Sequence, residues 1–465
     1  MLGLFFDLGS TFTKVSAFDL DKCELIAKAK APSTANIDIT IGLNNALSEV
    51  FKQTGKKIED FDVRRATSSA KGGLRIVAVG LVPDLTAEAA KRASLGAGAK
   101  VIKTYSYELS ESDLDEIYRL KPDLIVLAGG TDGGNKYYPL INAKKLSSLD
   151  LDIPVIYAGN KDVADEVHRI FEKAKKEIYI TENVMPEFGV LNITPVQSKI
   201  REIFLERLII SKGLDKAKKF VDSIVMPTPL AVLKACEKFS SLNGETMLVD
   251  VGGATTDVCS VASGKPTQSF VILKGLPEPY VKRTVEGDLG VRVSAYSLWE
   301  AVSEEVWKNL LGNLNSYREK VKFLSENTDF IPTKEEDIYF DHVLASVAID
   351  IAVRRHVGHI EVVYSPMGSL YFQYGKDLTD VRALIGTGGP LIYNPYNLKS
   401  ISFALFNPNE PFVLKPKNPD IFIDKEYILY AIGLISEIFP EKSDKLISKY
   451  IVRVSKEERS NDIKK

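Results

Sequence analysis

Two stretches of this chain share one plan: an apolar strand that ends on a carboxylate, a glycine turn set among hydroxyl side chains, and a returning strand. One is LVDVGGATTDVCSV, Leu248 to Val261, and the other is LGLFFDLGSTFTKVSAFDL, Leu2 to Leu20. In the first, Val249 and Val251 flank Asp250, and Gly252-Gly253 let the backbone turn so tightly that successive N–H groups, through Ala254 and Thr255, can face an anion. Thr255 and Thr256 add hydroxyl donors, Asp250 can hold a hydrated Mg²⁺, and Asp257 can orient a water or close the turn. In the second, Asp7 ends the strand, Gly9 frees the backbone, Ser10, Thr11 and Thr13 offer hydroxyls, and Lys14 supplies a cation. A single such hairpin is an ordinary β-turn with glycines at the bend. Two of them facing one another would clamp a triphosphate and its metal from both sides. Neither is a Walker loop or a Rossmann fingerprint, because no GxxxxGK[ST] or GxGxxG stands between a strand and a helix at either place.

The pair of hairpins resembles the nucleotide-binding superfamily of actin, hexokinase and the seventy-kilodalton heat-shock chaperones. By that resemblance the ligands are ATP and Mg²⁺, with Asp7 and Asp250 positioning the metal and water in a cleft between two lobes. TVEGDLGVRVS (Thr284 to Ser294) is similar to the GD..LGG signature of that superfamily, with Val291 at the second glycine, and it implies that Glu286 and Asp288 shape the cleft wall. ALIGTGGPL (Ala383 to Leu391) is similar to its adenosine motif, which assigns Gly386, Thr387, Gly388 and Gly389 to the nucleotide. The whole chain resembles a narrower group, the glutamate mutase accessory family called MutL or GlmL, through DLGSTFTKV, DLIVLAGGTDGGN, MPTPLAVL, VDVGGATTDVCSV, RTVEGDLGVR, LIGTGGPL and DKEYILYAIGLI. That resemblance implies an ATP-driven reactivating chaperone whose partner is an adenosylcobalamin-dependent mutase.

Charge and composition exclude several other classes. With 60 basic and 62 acidic residues the net charge is −2, so bulk electrostatics invite neither nucleic acid nor a membrane surface. The aromatic residues show no RNP-type spacing. Cys23, Cys236 and Cys259 form no CxxC pair, the first two reading as small apolar packing residues, and a reducing cytoplasm fits. The chain starts directly on a strand without a signal-peptide pattern, and no apolar run approaches about 20 residues.

A chain of 465 residues should form two or three domains. Three strands ending near Leu8, Leu20 and Ala31 precede a helix around Asp38 to Phe51, with Ile41, Leu43, Ala46, Leu47 and Val50 apolar. From Leu74 the pattern becomes a regular alternation of buried strand and amphipathic helix, the mark of a doubly wound parallel sheet. The expected fold class is therefore α/β: a two-lobed actin-like ATPase fold with an inserted flavodoxin-like domain. Its expected domains are 1–71 with 196–244, the insertion 72–195, the second lobe 245–454 and a flexible tail 455–465. Residues 196 to 239 read as helical, Lys334 to Val357 as a long helix, and YILYAIGLISEIF as the last helix.

A small-molecule kinase of the same superfamily is the alternative, but no candidate acid beyond the two hairpins offers itself as a substrate base. A filament-forming actin relative is a third class, disfavoured by the insertion. His342, His356 and His359, on or just after the long helix, read as solvated or helix-capping, and His168 as a surface residue. GGTDGGN, Gly129 to Asn135, follows a strand at the carboxyl end of the inserted sheet, where such sheets place ligands or partner contacts. Mutase-type cobalamin domains carry Asp-x-His-x-x-Gly after the first strand. Here VGLVPDLTAEAAK has no histidine, so the insertion is expected to present that domain's outline without ligating cobalt.

Overall fold

In the computed structural model of the chain the described residues are 1–9, 11–34, 37–69, 74–208, 214–366 and 368–454. The N-terminal sheet begins with β1 (Leu2–Leu8), β2 (Phe12–Asp19) and β3 (Glu24–Pro32). The helix Ile39–Thr54 then crosses over to β4 (Val63–Ser68), which lies parallel to β1. Asp38 caps that helix by accepting the Thr40 amide at 3.0 Å, and Gly55 ends it in a left-handed conformation. Its buried stripe runs Ile39, Leu43, Ala46, Leu47 and Val50, whereas Ile41 is exposed. β4 escapes the sequence pattern because VRRATS places two arginines in adjacent positions and shows no alternation.

The next segment carries β5 (Arg75–Gly80), β6 (Lys100–Ser106), β7 (Leu124–Leu127), β8 (Val155–Tyr157) and β9 (Ile178–Ile180). Helices Glu88–Gly96, Glu111–Leu120, Tyr137–Ser148 and Ala164–Lys173 alternate with them. The order is β6-β5-β7-β8-β9 and every pairing is parallel, which is the flavodoxin-like doubly wound arrangement. One face of this sheet buries Val77, Val79, Ile125 and Leu127 against Leu146 and Phe171. The other buries Ile76, Ala78, Leu124 and Val126 in a core continuous with that of the N-terminal sheet, through Ala93, Val196 and Ile200.

Helix Thr194–Ile203 leads on to β10 (Ser223–Pro227), which pairs parallel with β4 and completes the order β10-β4-β1-β2-β3. The reading of 196–239 as helical is corrected here: SIVMP is a strand, too short and too close to two prolines to show a period. The helix Thr228–Asn243 follows it.

The second large sheet comprises β11 (Thr246–Val251), β12 (Thr256–Val261), β14 (Val281–Glu286), β17 (Ala383–Thr387), β18 (Asp420–Asp424) and β19 (Ile451–Arg453). Beside it, β13 (Val271–Lys274), β15 (His359–Ser365) and β16 (Gly368–Tyr374) form a small sheet. The large sheet runs β14-β12-β11-β17-β18-β19, with β11, β17 and β18 parallel and β12 antiparallel to both its neighbours. Numbered within each sheet, the first reads 3-2-1-4-5 and the second reads the same and adds β19 as a sixth, edge strand. This duplicated order, interrupted between β4 and β10 by a doubly wound sheet, is an actin-like ATPase fold with a flavodoxin-like insertion.

The long helix Glu335–His356 packs Leu344, Ala348 and Ala352 into the core of this half. YILYAIGLISEIF is not the last helix. Leu429–Ile438 stops at Phe439, and Pro440, suited to a first helical position, starts the helix Pro440–Tyr450. By backbone contacts the chain divides into two compact units. One comprises Met1–Ala17, Ile26–Ala231 and Gly275–Pro277; the other comprises Phe18–Leu25, Val232–Lys274 and the chain from Glu278 onward. No helix among the described residues is long and apolar enough to cross a membrane. The segment 455–465 and Gly72, the expected start of the insertion, lie outside the described residues.

Candidate functional site

β1 and β11 occupy the same place in the two sheet orders, and each ends on a carboxylate. Asp7 stands in register with Thr67 of β4, and Asp250 stands in register with Thr387 of β17. An Asp/Thr pair on adjacent parallel strands is thus repeated in both halves.

Asp7 is buried, 2% exposed. Its Oδ2 accepts Lys14 Nζ at 2.8 Å and its Oδ1 accepts Thr228 Oγ1 at 2.7 Å. Thr228 also reaches Thr67 Oγ1 at 3.1 Å. Gly9 O accepts Ser33 Oγ and Thr11 O accepts the Ser33 amide, both at 2.8 Å, so the turn is braced from β3's end. Thr11 and Lys14 are half-buried. Thr13 is fully buried, its hydroxyl oxygen has no partner among the described residues, and a methyl group on Gly42 would come within 3.5 Å of it. Ser10 lies outside the described residues.

The turn after β11 is tied down through its carbonyls. Gly252 N donates to Thr255 O at 2.8 Å. Gly252 O accepts Val291 N at 3.1 Å, Gly253 O accepts Arg292 N at 2.8 Å, and Ala254 O accepts Ser294 Oγ at 2.8 Å. The amides of Gly253, Ala254 and Thr255 have no acceptor among the described residues. Three consecutive half-buried N–H groups without partners suit an anion. Gly290 makes this packing possible, since a Cβ there would fall 2.4 Å from Ala254 C and 2.5 Å from Gly253 O. Arg292 is itself locked by a two-pronged ion pair to Asp341, Nη1 to Oδ1 and Nη2 to Oδ2, both 2.7 Å.

Asp257 has both oxygens engaged. Oδ2 accepts Thr255 Oγ1 at 3.0 Å, and Oδ1 accepts Arg283 Nε at 3.0 Å and Nη2 at 2.5 Å. Glu286 and Asp288 converge on Arg355, whose Nη1 lies 2.6 Å from Glu286 Oε2 and 2.9 Å from Asp288 Oδ1. Gly386 and Thr387 are interior, and Thr387 Oγ1 donates to the buried Asp424 at 3.1 Å. Gly388 has φ +94° and abuts the end of β11: a Cβ there would lie 2.2 Å from Val251 O and 2.8 Å from Asp250 Oδ1. Gly389, at the start of the helix Gly389–Tyr393, is half-buried, as is Pro390 after it.

The structure therefore brings Asp250, the 252–255 turn, Asp257, the 290–294 segment and Gly388 together in one unit, and Asp7, Gly9, Thr11 and Lys14 in the other. Sequence reasoning missed Thr228, Thr67, Arg283, Arg355 and Asp424. Only Thr228 left a signal, as a hydroxyl held between Pro227 and Pro229 at a helix start.

Two of the histidines need correcting. His342 and His356 are buried, not solvated or capping. His342 Nδ1 bonds Ser400 Oγ at 2.7 Å, and burial pushes its imidazole down to about 4. His356 Nδ1 and Nε2 bond Thr284 Oγ1 at 2.9 Å and Ser260 Oγ at 2.8 Å, and burial holds it well below the usual histidine range. His356, in the last turn of the helix, is covered by β12 and β14, whereas His342, in the first half, lies in a stretch buried continuously from Phe340 to Ile349 and packs against Ser400. All three cysteines are free and buried; burial pushes Cys236 up to about 12 and Cys259 well above the usual thiol range, so neither is a nucleophile.

Among the described residues no three His, Cys, Asp or Glu side chains converge as a metal cage. Mg²⁺ bound with a nucleotide takes one or two carboxylates together with phosphate oxygens and waters, a ligand set that does not need such a cage.

Residues 3–451 match the family model described as MutL protein. The chain belongs to the MutL family. A MutL relative, Protein MutL of Clostridium tetanomorphum, is 45% identical over 458 residues, covering 97% of this chain and 99% of that one. Two solved structures are similar at much lower identity. The nucleotide-free structure of acetone carboxylase is 14% identical with a TM-score of 0.42, covering 93% of this chain and 69% of its own. Diol dehydratase-reactivating factor in its nucleotide-free form is 11% identical with a TM-score of 0.34, covering 95% and 100%.

Proposed function

We propose that this MutL-family chain is an ATPase that reactivates an adenosylcobalamin-dependent mutase, glutamate mutase or a related amino-acid mutase, by ATP-driven remodelling of that partner. The observation that carries the reading is the repeated Asp/Thr register, Asp7 with Thr67 and Asp250 with Thr387, at corresponding ends of two sheets of one topology. Membership of the MutL family and the resemblance of its motifs to the mutase accessory proteins support the partner.

In this scheme Lys14 and the amides of Gly253, Ala254 and Thr255 hold the β- and γ-phosphate oxygens, with Gly9, Ser10, Thr11 and Thr13 lining the first turn; the Gly252 amide, expected among the phosphate donors, is already bonded to Thr255 O. Asp7 and Asp250 would hold Mg²⁺, directly or through its waters, and the ion would supply neutralisation of phosphate charge. Asp257 orients the attacking water from a carboxylate fixed by Arg283. Gly386 to Gly389 shape the adenosine side, and Glu286 and Asp288, through Arg355, stiffen the wall beside it. The ATPase domains in this reading are 1–71 with 196–244 and 245–454, with 72–195 as the partner-facing insertion, and the protein works in the cytoplasm.

The test is ATP turnover by the full chain with and without purified mutase and, separately, with a panel of small metabolites. Turnover that rises with mutase and restores inactivated mutase supports the reading. A phosphorylated metabolite would instead identify a small-molecule kinase.

A further inference from the structure

The small sheet β13-β16-β15 presents apolar side chains to solvent on both faces. The register pairs Val363 with Leu370 and Ile272 with Phe372, which puts Ile272, Val363 and Leu370 on one face. Leu273, Tyr364 and Tyr371 alternate onto the other. All six are exposed, Tyr364 by 84%. A surface sheet, here a mixed one with β13 parallel and β15 antiparallel to β16, ordinarily hides one face against the core, and exposed apolar clusters of this kind mark contact with another molecule.

The backbone of β15 indicates what that molecule is. Ile360 N donates away from the sheet to Phe412 O at 2.9 Å. By alternation Val362 and Tyr364 also turn their N–H and C=O groups outward, while Glu361 and Val363 face β16. Among the described residues no strand pairs with this outer edge beyond the bridge at His359. HIEVVYS contains no lysine or proline of the sort that guards an open edge.

We propose that the outer edge of β15 pairs antiparallel with β15 of a second copy of this chain, about a two-fold axis at Val363. That register sets Val362 opposite Tyr364 of the second copy, so the two copies exchange four backbone hydrogen bonds. Glu361 falls opposite Ser365 of the second copy, and no two carboxylates face each other. The edge is thus self-complementary, as an isologous contact requires. Because the join continues the sheet, it adds cross-strand apolar neighbours on both faces at once, which a helix laid on one face does not. The proposal is independent of the nucleotide reading.

The experiment measures the mass of the full chain by light scattering and sedimentation across a dilution series, for the parent, Val363→Lys and Val363→Cys. Val363→Lys sets two ammonium groups against each other at the axis, on an exposed position, and its melting temperature is recorded as a control. Residues opposed in a non-hydrogen-bonded pair have Cα atoms about 4.5 Å apart, within the range a disulfide spans, so mild oxidation should link Val363→Cys into a covalent dimer. The native cysteines are buried and give a clean background. The expected result is a dimeric parent, a monomeric, folded Val363→Lys and a cross-linked Val363→Cys. A monomeric parent, a dimer that survives Val363→Lys, or a Val363→Cys protein that stays unlinked overturns the proposal, as does cross-linking of Val363→Cys to added mutase in place of itself.

Discussion

Arg283 Nε lies 3.0 Å from Asp257 Oδ1, and the guanidinium that makes this contact is buried between strands while the other carboxylate oxygen holds the Thr255 hydroxyl. The chain of contacts runs from β14 through β12 to the glycine turn, so Arg283 acts on that turn without reaching it. Arg283→Met should lower kcat for ATP about tenfold to a hundredfold, the usual cost of losing a group that orients a functional residue, with little change in KM. Arg283→Lys should recover part of the loss. Leaving Asp257 without its counter-charge also costs stability, so a thermal melt belongs beside the kinetics. If kcat is unchanged in a folded Arg283→Met protein, Asp257 does not need its partner for turnover.

Asp7→Ala and Asp250→Ala should each reduce Mg²⁺-dependent ATP turnover by at least about a hundredfold, the scale on which a single charge-stabilising group acts. Asp7→Ala also removes the acceptor of Lys14 and Thr228, so its melting temperature should fall further than that of Asp250→Ala, whose side chain is less buried. Circular dichroism establishes that both are folded. Parent-like turnover in both would remove the carboxylates from the nucleotide site.

The doubly wound sheet was legible because RIVAVG, LIVL and their neighbours are short apolar runs separated by amphipathic helices, a pattern that survives without tertiary information. So were both glycine turns, since tight turns demand particular residues. β4 and β10 were not legible. VRRATS and SIVMP earn their place by lying next to β1 in a sheet already built, and nothing local demands it. Arg283 was invisible for a related reason: its register opposite Cys259, two residues from Asp257 on the same strand, exists only once β12 and β14 pair. The burial of His342 and His356 also depends on what packs over the helix, which its own sequence does not state.

Those two histidines make stability depend on pH in a definite direction. Burial lowers both, His342 to about 4, below the unfolded value near 6.5. A group with a depressed folded pKa leaves the unfolded chain binding more protons, so its contribution is fully present above about pH 6.5 and is lost as pH falls toward the folded value. Thermal unfolding should therefore shift to lower temperature between about pH 7 and pH 5. His342→Gln and His356→Gln should each flatten that slope while lowering the melting temperature at neutral pH. An equal slope in both variants would place the acid sensitivity elsewhere.

The insertion calls for a test that leaves its core intact, because Ala93 shares a core with Val196 and Ile200 and excising the sheet would open it. At the carboxyl edge, where a doubly wound sheet takes its ligand, the loops are closed on their own side chains. Thr86 Oγ1 accepts the Leu81 and Val82 amides at 2.8 and 3.2 Å, and Asp132 Oδ1 accepts Asn183 Nδ2 at 2.9 Å and the Lys161 amide at 3.0 Å. Around that edge stand the exposed rings of Tyr107, Tyr137 and Phe188. An edge with satisfied donors and exposed aromatics suits a protein contact better than a cofactor, as the proposed role of 72–195 as the partner-facing insertion requires. Tyr137→Ser combined with Phe188→Ser should leave unstimulated ATP turnover at the parent rate, weaken mutase binding by at least about tenfold as loss of aromatic anchors does, and abolish reactivation. Calorimetry of the full chain with cobalamin should show no binding. Retained reactivation by the double variant would move the mutase contact off this edge, and measurable cobalamin affinity would make the insertion a carrier of the cofactor, not an imitation of the domain that holds it.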